Sequence, residues 1–518
     1  MEYRIGIDVG GTNTDAVIVD ESRTIIASVK RPTTTEVFDG ILDALHSVLS
    51  QVDIKRSDVA YAMLGTTHST NAIVTRKNLL KTGVIRIGKP AGMAIEPMID
   101  WPEDLRNAVS TGVHHVTGGH EFNGKEIFPL DEQELRKALE IMKGSIEALS
   151  ITSIFSPVAY DHEDRAAELA KEILGVDVPV TRSHEIASIG LLERENAAIL
   201  NASLNRVARS TALGFKKALA DEGITDAQVY LCQNDGTLMS IDYSIEYPIL
   251  TIACGPTNSI RGASFLSGFK DALVLDVGGT TSDIGVIRQG FPRESSLAVE
   301  IGGARTNFRM PDLNSLGLGG GTIVHITGEG ISVGPDSVGY RIVEESLVFG
   351  GSTVTATDIA VRLGMAELGD PSLVSHIPIE TAEAAHGIMM QLVQNGIDSM
   401  KLTKDPVPLI LVGGGSLLIS DEIPGTEQII RPENFGVANA LGAAIAQVSG
   451  QIERVYSLDA MTRDEAVADA KKTATEEAIK AGAAPMTVRI VDVEDIPLAY
   501  LPGNATRIRV KAVGDLKQ

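Results

Sequence analysis

The sequence predicts an α/β protein of two lobes related by internal duplication, with a small α+β appendage at the C-terminal end. Three observations carry this. The stretch Asp8-Val9-Gly10-Gly11-Thr12-Asn13-Thr14-Asp15 returns as Asp276-Val277-Gly278-Gly279-Thr280-Thr281-Ser282-Asp283. Short apolar runs alternate with segments of helical spacing as far as residue 450. From Gln451 the composition shifts to a charged, alanine-rich helix and two strands. The lobes are expected at 1–185 and 186–450, and the appendage at 451–518.

Each copy of the repeat sits between two apolar runs, Ile5–Ile7 and Ala16–Val19 in the first, Ala272–Leu275 and Ile284–Ile287 in the second. Each reads as strand, tight turn, strand. Paired glycines let the turn approach a phosphate closely and offer it backbone N–H groups. Thr12, Thr280 and Thr281 add hydroxyls. Asp8 and Asp276 end their strands beside the turn, where a carboxylate can hold magnesium through its waters. One such copy reads equally well as a plain hairpin; two point to one triphosphate gripped from both sides. No Gly-Lys-Ser/Thr follows, so this is not a Walker loop, and it is not a GxGxxG dinucleotide turn.

In chain order, Phe38–Val52 has helical spacing. Val59–Leu64 is a strand running into Gly65-Thr66-Thr67-His68-Ser69-Thr70-Asn71. Thr70 and Asn71 there either face a substrate or cap the next helix. Gly83–Ile87 is a strand, and 88–128 reads as irregular. His114, His115 and His120 in that stretch read as solvated or core histidines, since no carboxylate spacing supports a metal. Asp131 is an expected N-cap with Glu134 completing a capping box. Ala148–Phe155 and Val178–Arg182 are strands flanking a helix at Asp161–Leu174. Leu191–Leu219 reads as one long helix crossing between lobes. Val229–Cys232 is a strand ending in Gln233-Asn234-Asp235-Gly236. Gly317–Thr322 is a glycine cluster, either a mobile loop on the nucleotide or a plain turn. Helices at Val354–Leu363 and Ile379–Asn395 lead to strand Leu409–Val412, the turn Gly413-Gly414-Gly415, and a small-residue helix at Val437–Val448. Ala466–Ala481 is a helix with a solvated charged face, and Met486–Val491 and Thr506–Val513 are strands.

Bulk properties narrow the field. The 518 residues suffice for two or three domains. Aromatics are only 4%, so Val, Ile, Leu and Ala do the packing. A net charge of −23 disfavours nucleic acid and anionic membrane as partners. It also requires any bound triphosphate to be held by local amides and metal. Two cysteines, Cys232 and Cys254, form no CxxC or Cys/His cluster. No apolar run reaches the length of a membrane span and no signal peptide precedes the first strand, so a cytoplasmic location is expected.

The twin loops and the later glycine turn resemble the actin, heat-shock-70 and sugar-kinase superfamily, which implies a ribonuclease H-like duplicated, actin-like ATPase fold with ATP in the cleft. The chain resembles the hydantoinase A / 5-oxoprolinase family more closely. The resemblance runs through Gly6–Asp15, Gly65-Thr66-Thr67 with Thr70-Asn71-Ala72, His162-Glu163 with Arg165, and Glu193-Arg194-Glu195 with Leu200-Asn201-Ala202. It continues through Gly255-Pro256, the second loop, Gly319–Ile323, Thr357-Asp358 and Ala438–Ala444. Departures fall at Gln233-Asn234-Asp235-Gly236, where the family has Ser-Asn-Gly-Gly, and at Cys254–Ser259, where it has Ser-Gly-Pro-Ala-Gly-Gly. The proline- and cysteine-containing segment usual after Gly339-Tyr340 is missing.

What the resemblance implies is an ATP- and Mg2+-dependent cyclic amidase: a hydrolase that phosphorylates the carbonyl oxygen of a hydantoin, 5-oxoproline or lactam. It implies a second hydantoinase-type subunit, and a homo-oligomer is compatible with it. Gly10, Gly11, Thr12, Asn13, Gly278, Gly279, Thr280 and Thr281 would hold the phosphates. Asp8 and Asp276 would hold the metal, and Asp15 and Asp283 would act as base or orient water. Gly413, Gly414 and Gly415 would pack on adenosine, and Thr70, Asn71, Asn234 and Asp235 would line the substrate. Two other readings stay open: a small-molecule kinase of the same fold, and an ATP-driven reactivating factor acting on a partner protein.

Overall fold

The computed structural model describes residues 2–33, 37–295, 298–328, 330–459, 461–499 and 504–517. Its two principal sheets are built on the two copies of the repeat. In the first, Tyr3–Val9 pairs antiparallel with Asn13–Val19, which pairs antiparallel with Ile25–Pro32. On its other side Tyr3–Val9 pairs parallel with Val59–Thr66, and that strand pairs parallel with Gln228–Cys232. The second sheet repeats the scheme. Ala272–Val277 pairs antiparallel with Ser282–Arg288 and parallel with Val407–Val412. Phe291–Pro292 and Thr426–Ile430 take the outer places. Numbered within each copy, both sheets run 3-2-1-4-5. Shared strand order and shared direction at every step make this the duplicated fold the sequence predicts.

Register is shared too. Asp8 stands opposite Asp15 and Asp276 opposite Asp283. The C-terminal ends of the parallel strands thus deliver Asp8, Thr66 and Cys232 to one edge, and Asp276 and Val412 to the matching edge, where ligands bind in α/β sheets.

Two helices of small residues, Cys254–Ser267 and Ala438–Ile445, join the sheets. A Cβ on Gly262 would lie 1.9 Å from the Ala438 carbonyl oxygen, and one on Gly442 would lie 1.9 Å from that of Asn258. Gly6 approaches the second helix in the same way, 2.2 Å from the Ala440 oxygen. Only glycine allows backbones this close, and the closeness brings both sheets' site edges onto one helix.

The structure differs from sequence expectation in five places. The sheets do not respect boundaries at 185 and 450: Gln228–Cys232 and Thr237–Ser240 belong to the first sheet. Gln447–Ser457, Ala505–Gly514 and Arg489–Pro497 extend that same sheet rather than standing outside the nucleotide core. The reason is Gln447–Ser457, an eleven-residue strand that pairs parallel with Thr237–Ser240 and antiparallel with Ala505–Gly514. Ala466, Ala470, Ala474 and Ala478, four apart on helix Arg463–Lys480, are buried against it.

The expected single helix at 191–219 is two, Leu191–Ser203 and Asn205–Asp221, separated at Leu204. The first packs on a four-stranded parallel sheet of residues 82–182, the second on the first lobe through Phe215. The stretch 88–128 contains a helix, Glu103–Val109, and a strand, Ser110–Thr117, that joins the four-stranded sheet. Asp131 does cap its helix, but Glu134 turns away to bind Thr117 and Lys89. The 317–322 cluster is neither mobile loop nor plain turn: Gly320 and Gly321 donate N–H to the carbonyls of Gly278 and Gly279, bracing the second hairpin. Among the described residues no helix is long and apolar enough to cross a membrane.

Candidate active site

The two hairpin tips face each other. Thr12 Oγ1 and Thr280 Oγ1 are 3.4 Å apart, and a Cβ on Gly279 would meet the Thr12 side chain at 2.9 Å. Each tip is closed by one backbone bond, Gly10 N–H to Asn13 O and Gly278 N–H to Thr281 O, both 2.9 Å. The amides of Gly11, Thr12, Gly279 and Thr280 donate to nothing among the described residues. They are the unused donors an anion needs.

Behind the tips lie four carboxylates, held by side chains from four other elements. Asn258 donates to Asp8 Oδ1 at 2.9 Å, and its neighbour Ser259 donates to Asp276 Oδ2 at 2.5 Å. Asn439 reaches both Asp8 (3.1 Å) and Asp15 (2.8 Å). Lys30 Nζ pairs with Asp15 at 2.7 Å, and Ser315 donates to Asp283. Gly65 and Gly413 leave room for the acids: a Cβ on either would fall 2.2 Å from a carboxylate oxygen of Asp8 or Asp276.

Burial dominates the electrostatics. It pushes the Asp8 carboxyl up to about 6, against the amide of Asn258, with Asp15 and Asp276 adding to the rise. It pushes Asp283 up to about 6 despite Ser315. Asp276 and Asp15 are raised for the same reason, Asp15 against the pull of Lys30. Four acids beside one lysine form an oxygen-donor pocket short of positive charge, which suits a hard divalent cation such as Mg2+. Asp8 and Asp276, each near the end of the first strand of its hairpin, are the residues that would hold it. Because the Asp8 carboxyl is raised to about 6, divalent-cation binding near that pH is expected to release protons. Calorimetry in buffers of different ionisation enthalpy would read this release, and it should fade toward pH 8.

The glycine turn completes the cleft. Gly413 takes φ +83°, donates to Phe435 O, and starts a single 3-10 turn, Gly414–Leu418. Gly414 is exposed, and a Cβ there would meet nothing within 4 Å.

Residues 4–174 match the hydantoinase/oxoprolinase N-terminal region and residues 194–367 match hydantoinase/oxoprolinase. The chain belongs to the hydantoinase/oxoprolinase family. The caprolactamase alpha subunit of Pseudomonas jessenii is 26% identical, over 88% of this chain and 68% of that one. The acetophenone carboxylase gamma subunit of Aromatoleum aromaticum is 27% identical, over 77% of this chain and 58% of that one. The crystal structure of the ATP-dependent caprolactamase from Pseudomonas jessenii superposes with a TM-score of 0.77 at 20% identity, covering 99% of this chain and 88% of that one.

The phosphate-loop and carboxylate residues expected from sequence are together, and the expected substrate residues are not. Thr70 and Asn71 lie on helix His68–Thr75, whose N-cap is Thr67. Asn234 and Asp235 are buried elsewhere: Asn234 donates to Arg309 O, and Asp235 pairs with Lys511 at 2.9 Å. Both line a cavity of about 630 Å3 that Thr70 and Asn71 do not reach.

Sequence reasoning missed Lys30, Asn258, Ser259, Ser315 and Asn439. Two carried a signal: Asn258 and Ser259 stand where the family pattern has glycines. His120 meets His162, Glu126 and Asp161. Gly119 N–H donates to His162 Nδ1, however, which leaves the ring proton on Nε2, aimed at Glu126. That is a hydrogen-bonded pair rather than a ligand set.

Proposed function

We infer that the chain uses ATP to phosphorylate the carbonyl oxygen of a small amide. In this reading it opens a cyclic amide or imide (a hydantoin, 5-oxoproline or a lactam) by hydrolysis, together with a second subunit. The observation that carries the reading is the meeting of two hairpins of identical register, with unused amides in front and four carboxylates behind. An unstrained amide resists water because its C–N bond is resonance-stabilised. Transferring the γ-phosphoryl group to the carbonyl oxygen removes that resistance and makes the carbon electrophilic.

Such transfer needs positioning and charge neutralisation more than covalent help. The free amides of Gly11, Thr12, Gly279 and Thr280, with the threonine hydroxyls, would hold the phosphates, and the Gly413–Gly415 turn would pack on adenosine. Mg2+ at Asp8 and Asp276 would supply charge neutralisation. Asp15 is already engaged by Lys30 and Asn439, so Asp283 is the better placed of the hairpin-end acids to orient water. The second subunit is supported by relatives named as alpha and gamma subunits of larger enzymes.

Likeness to the acetophenone carboxylase subunit favours a second reading, in which the phosphorylated carbonyl belongs to a ketone and the acceptor is bicarbonate. Phosphate release over a panel of hydantoins, 5-oxoproline, lactams and ketones, with and without bicarbonate and a co-purified subunit, separates the two. Ring-opened acid and free phosphate without bicarbonate are expected. A stable phosphorylated metabolite would make the chain a kinase. ATP hydrolysis indifferent to all of these would make it a remodelling factor.

A further inference from the structure

The cavity that contains Asn234 and Asp235 holds a second chemical arrangement. Its wall includes His184, Tyr160, Ser156, Asn307 and Arg309. His184 is the unusual member. Its Nδ1–H donates to Glu163 Oε2 at 2.6 Å. Glu163 is fully buried and also accepts from Ser153 N (2.7 Å), Ser183 Oγ (2.6 Å) and His184 N (3.0 Å). Despite the penalty of burial, those bonds and the charge of Arg194 hold its carboxyl below the usual range, so it is a carboxylate at neutral pH.

A carboxylate fixed by three backbone and hydroxyl donors can only accept from the imidazole, which pins the ring proton on Nδ1. Tyr160 stacks on the ring at 4.7 Å and fixes its plane. The other nitrogen, Nε2, makes no hydrogen bond among the described residues; Asp164 Oδ1 lies 3.9 Å away. Arg182 pairs with Asp164 at 2.6 Å and with Glu185, so the carboxylate nearest Nε2 is itself neutralised. A buried carboxylate, an oriented imidazole and a free lone pair at a cavity wall form the base half of a hydrolytic triad.

The cavity also abuts helix Cys254–Ser267, which holds two of the hairpin acids. Its lining residue Gln233 accepts at its carbonyl from Thr257 Oγ1 (3.4 Å), and the next residue, Asn258, holds Asp8. We propose that this cavity receives the small amide of the preceding section, and that His184, rather than the hairpin-end Asp283, is the general base that activates water there, with Glu163 as its positioning residue. The proposal rests on the phosphorylated-amide reading. The water oxygen bonds to the activated carbon as its proton passes to Nε2. Nε2 then returns that proton to the ring nitrogen, and as the C–N bond breaks the hydroxyl left by the water gives its own proton to the vacated Nε2, leaving an amine and an acyl phosphate. A second water converts the acyl phosphate to carboxylate and orthophosphate.

The test uses the full chain with its co-purified subunit, ATP, Mg2+, and hydantoin, 5-oxoproline and caprolactam as probes. In His184→Ala, nucleotide binding by calorimetry is expected to stay within about twofold, while amide-dependent phosphate release falls about 100-fold. Added imidazole should restore part of it, which a purely structural histidine would not permit. Ser188→Trp, which crowds the same cavity, should abolish amide-dependent release with nucleotide binding kept. Wild-type rates in both variants would overturn the proposal, as would a His184→Ala loss that imidazole leaves untouched. Failure of all three rings to bind the nucleotide-loaded wild type would overturn it too. A wild type that binds no adenine nucleotide would instead overturn the functional reading itself.

Discussion

Asp8→Asn is expected to lower ATP turnover about 1000-fold while making the protein more stable at neutral pH. Both effects follow from one buried carboxylate. Asp8 is 3% exposed, and its carboxyl is raised from 3.8 to about 6 by burial. Between those values the folded state holds a proton that the unfolded chain has already lost, so folding stability falls as pH rises through this window. Above it the full cost is present: about two units at ~1.4 kcal/mol each, on the order of 3 kcal/mol.

Asparagine removes that charge and keeps the shape. Asn258 Oδ1 is buried without a partner, so a flip of its amide lets it accept from the new Asn side chain. The variant should therefore exceed wild type in thermal midpoint at pH 7.5, with the gain shrinking toward zero near pH 4. Single-turnover phosphate release and thermal scans at the two pH values check both halves. Wild-type turnover, or a lower midpoint at pH 7.5, would remove Asp8 from the role assigned to it. The trade is the usual one at a functional site, where stability is given up to keep charge in place.

What was legible in the sequence was the part written as local pattern. The hairpins could be read because two apolar runs bracket Gly-Gly in each copy, and their repetition carried the fold order. The site side chains that could not be read come from elsewhere in the chain. Lys30 sits on the third strand of its sheet, and only the antiparallel register that sets it opposite Asp15 makes it a partner. Asn439 lies more than four hundred residues from Asp8. Its position follows from the helix crossing, which no local period encodes. The alanine-rich C-terminal helix misled for a related reason. Its charges are indeed exposed, yet the alanine stripe between them is core, and alanine is too small to announce a buried face. The substrate assignment split because Thr70 and Asn234 both follow parallel strands that lie side by side in the sheet, Val59–Thr66 and Gln228–Cys232, yet only Asn234 lines the cavity.

The helix crossing itself yields the largest structural effect. Gly262→Ala places a methyl where the Ala438 carbonyl oxygen now lies, a 1.9 Å approach to backbone rather than to a side chain that could swing away. The helices Cys254–Ser267 and Ala438–Ile445 must then move apart by more than an ångström, and they cannot do so alone. The first carries Asn258 and Ser259 and the second carries Asn439, so the separation pulls on Asp8, Asp15 and Asp276 together. Overpacking of this kind is expected to cost about 3 kcal/mol. It should also weaken nucleotide binding at least tenfold, although Gly262 lies in neither hairpin. Gly11→Ala is the matched control: a Cβ there meets nothing within 4 Å, so the thermal midpoint should stay where it is while phosphate affinity drops. Equal midpoints for the two variants would mean that the helices do not set the spacing of the acids. A Gly262→Ala protein that is destabilised but binds ATP normally would mean that the site is assembled without them.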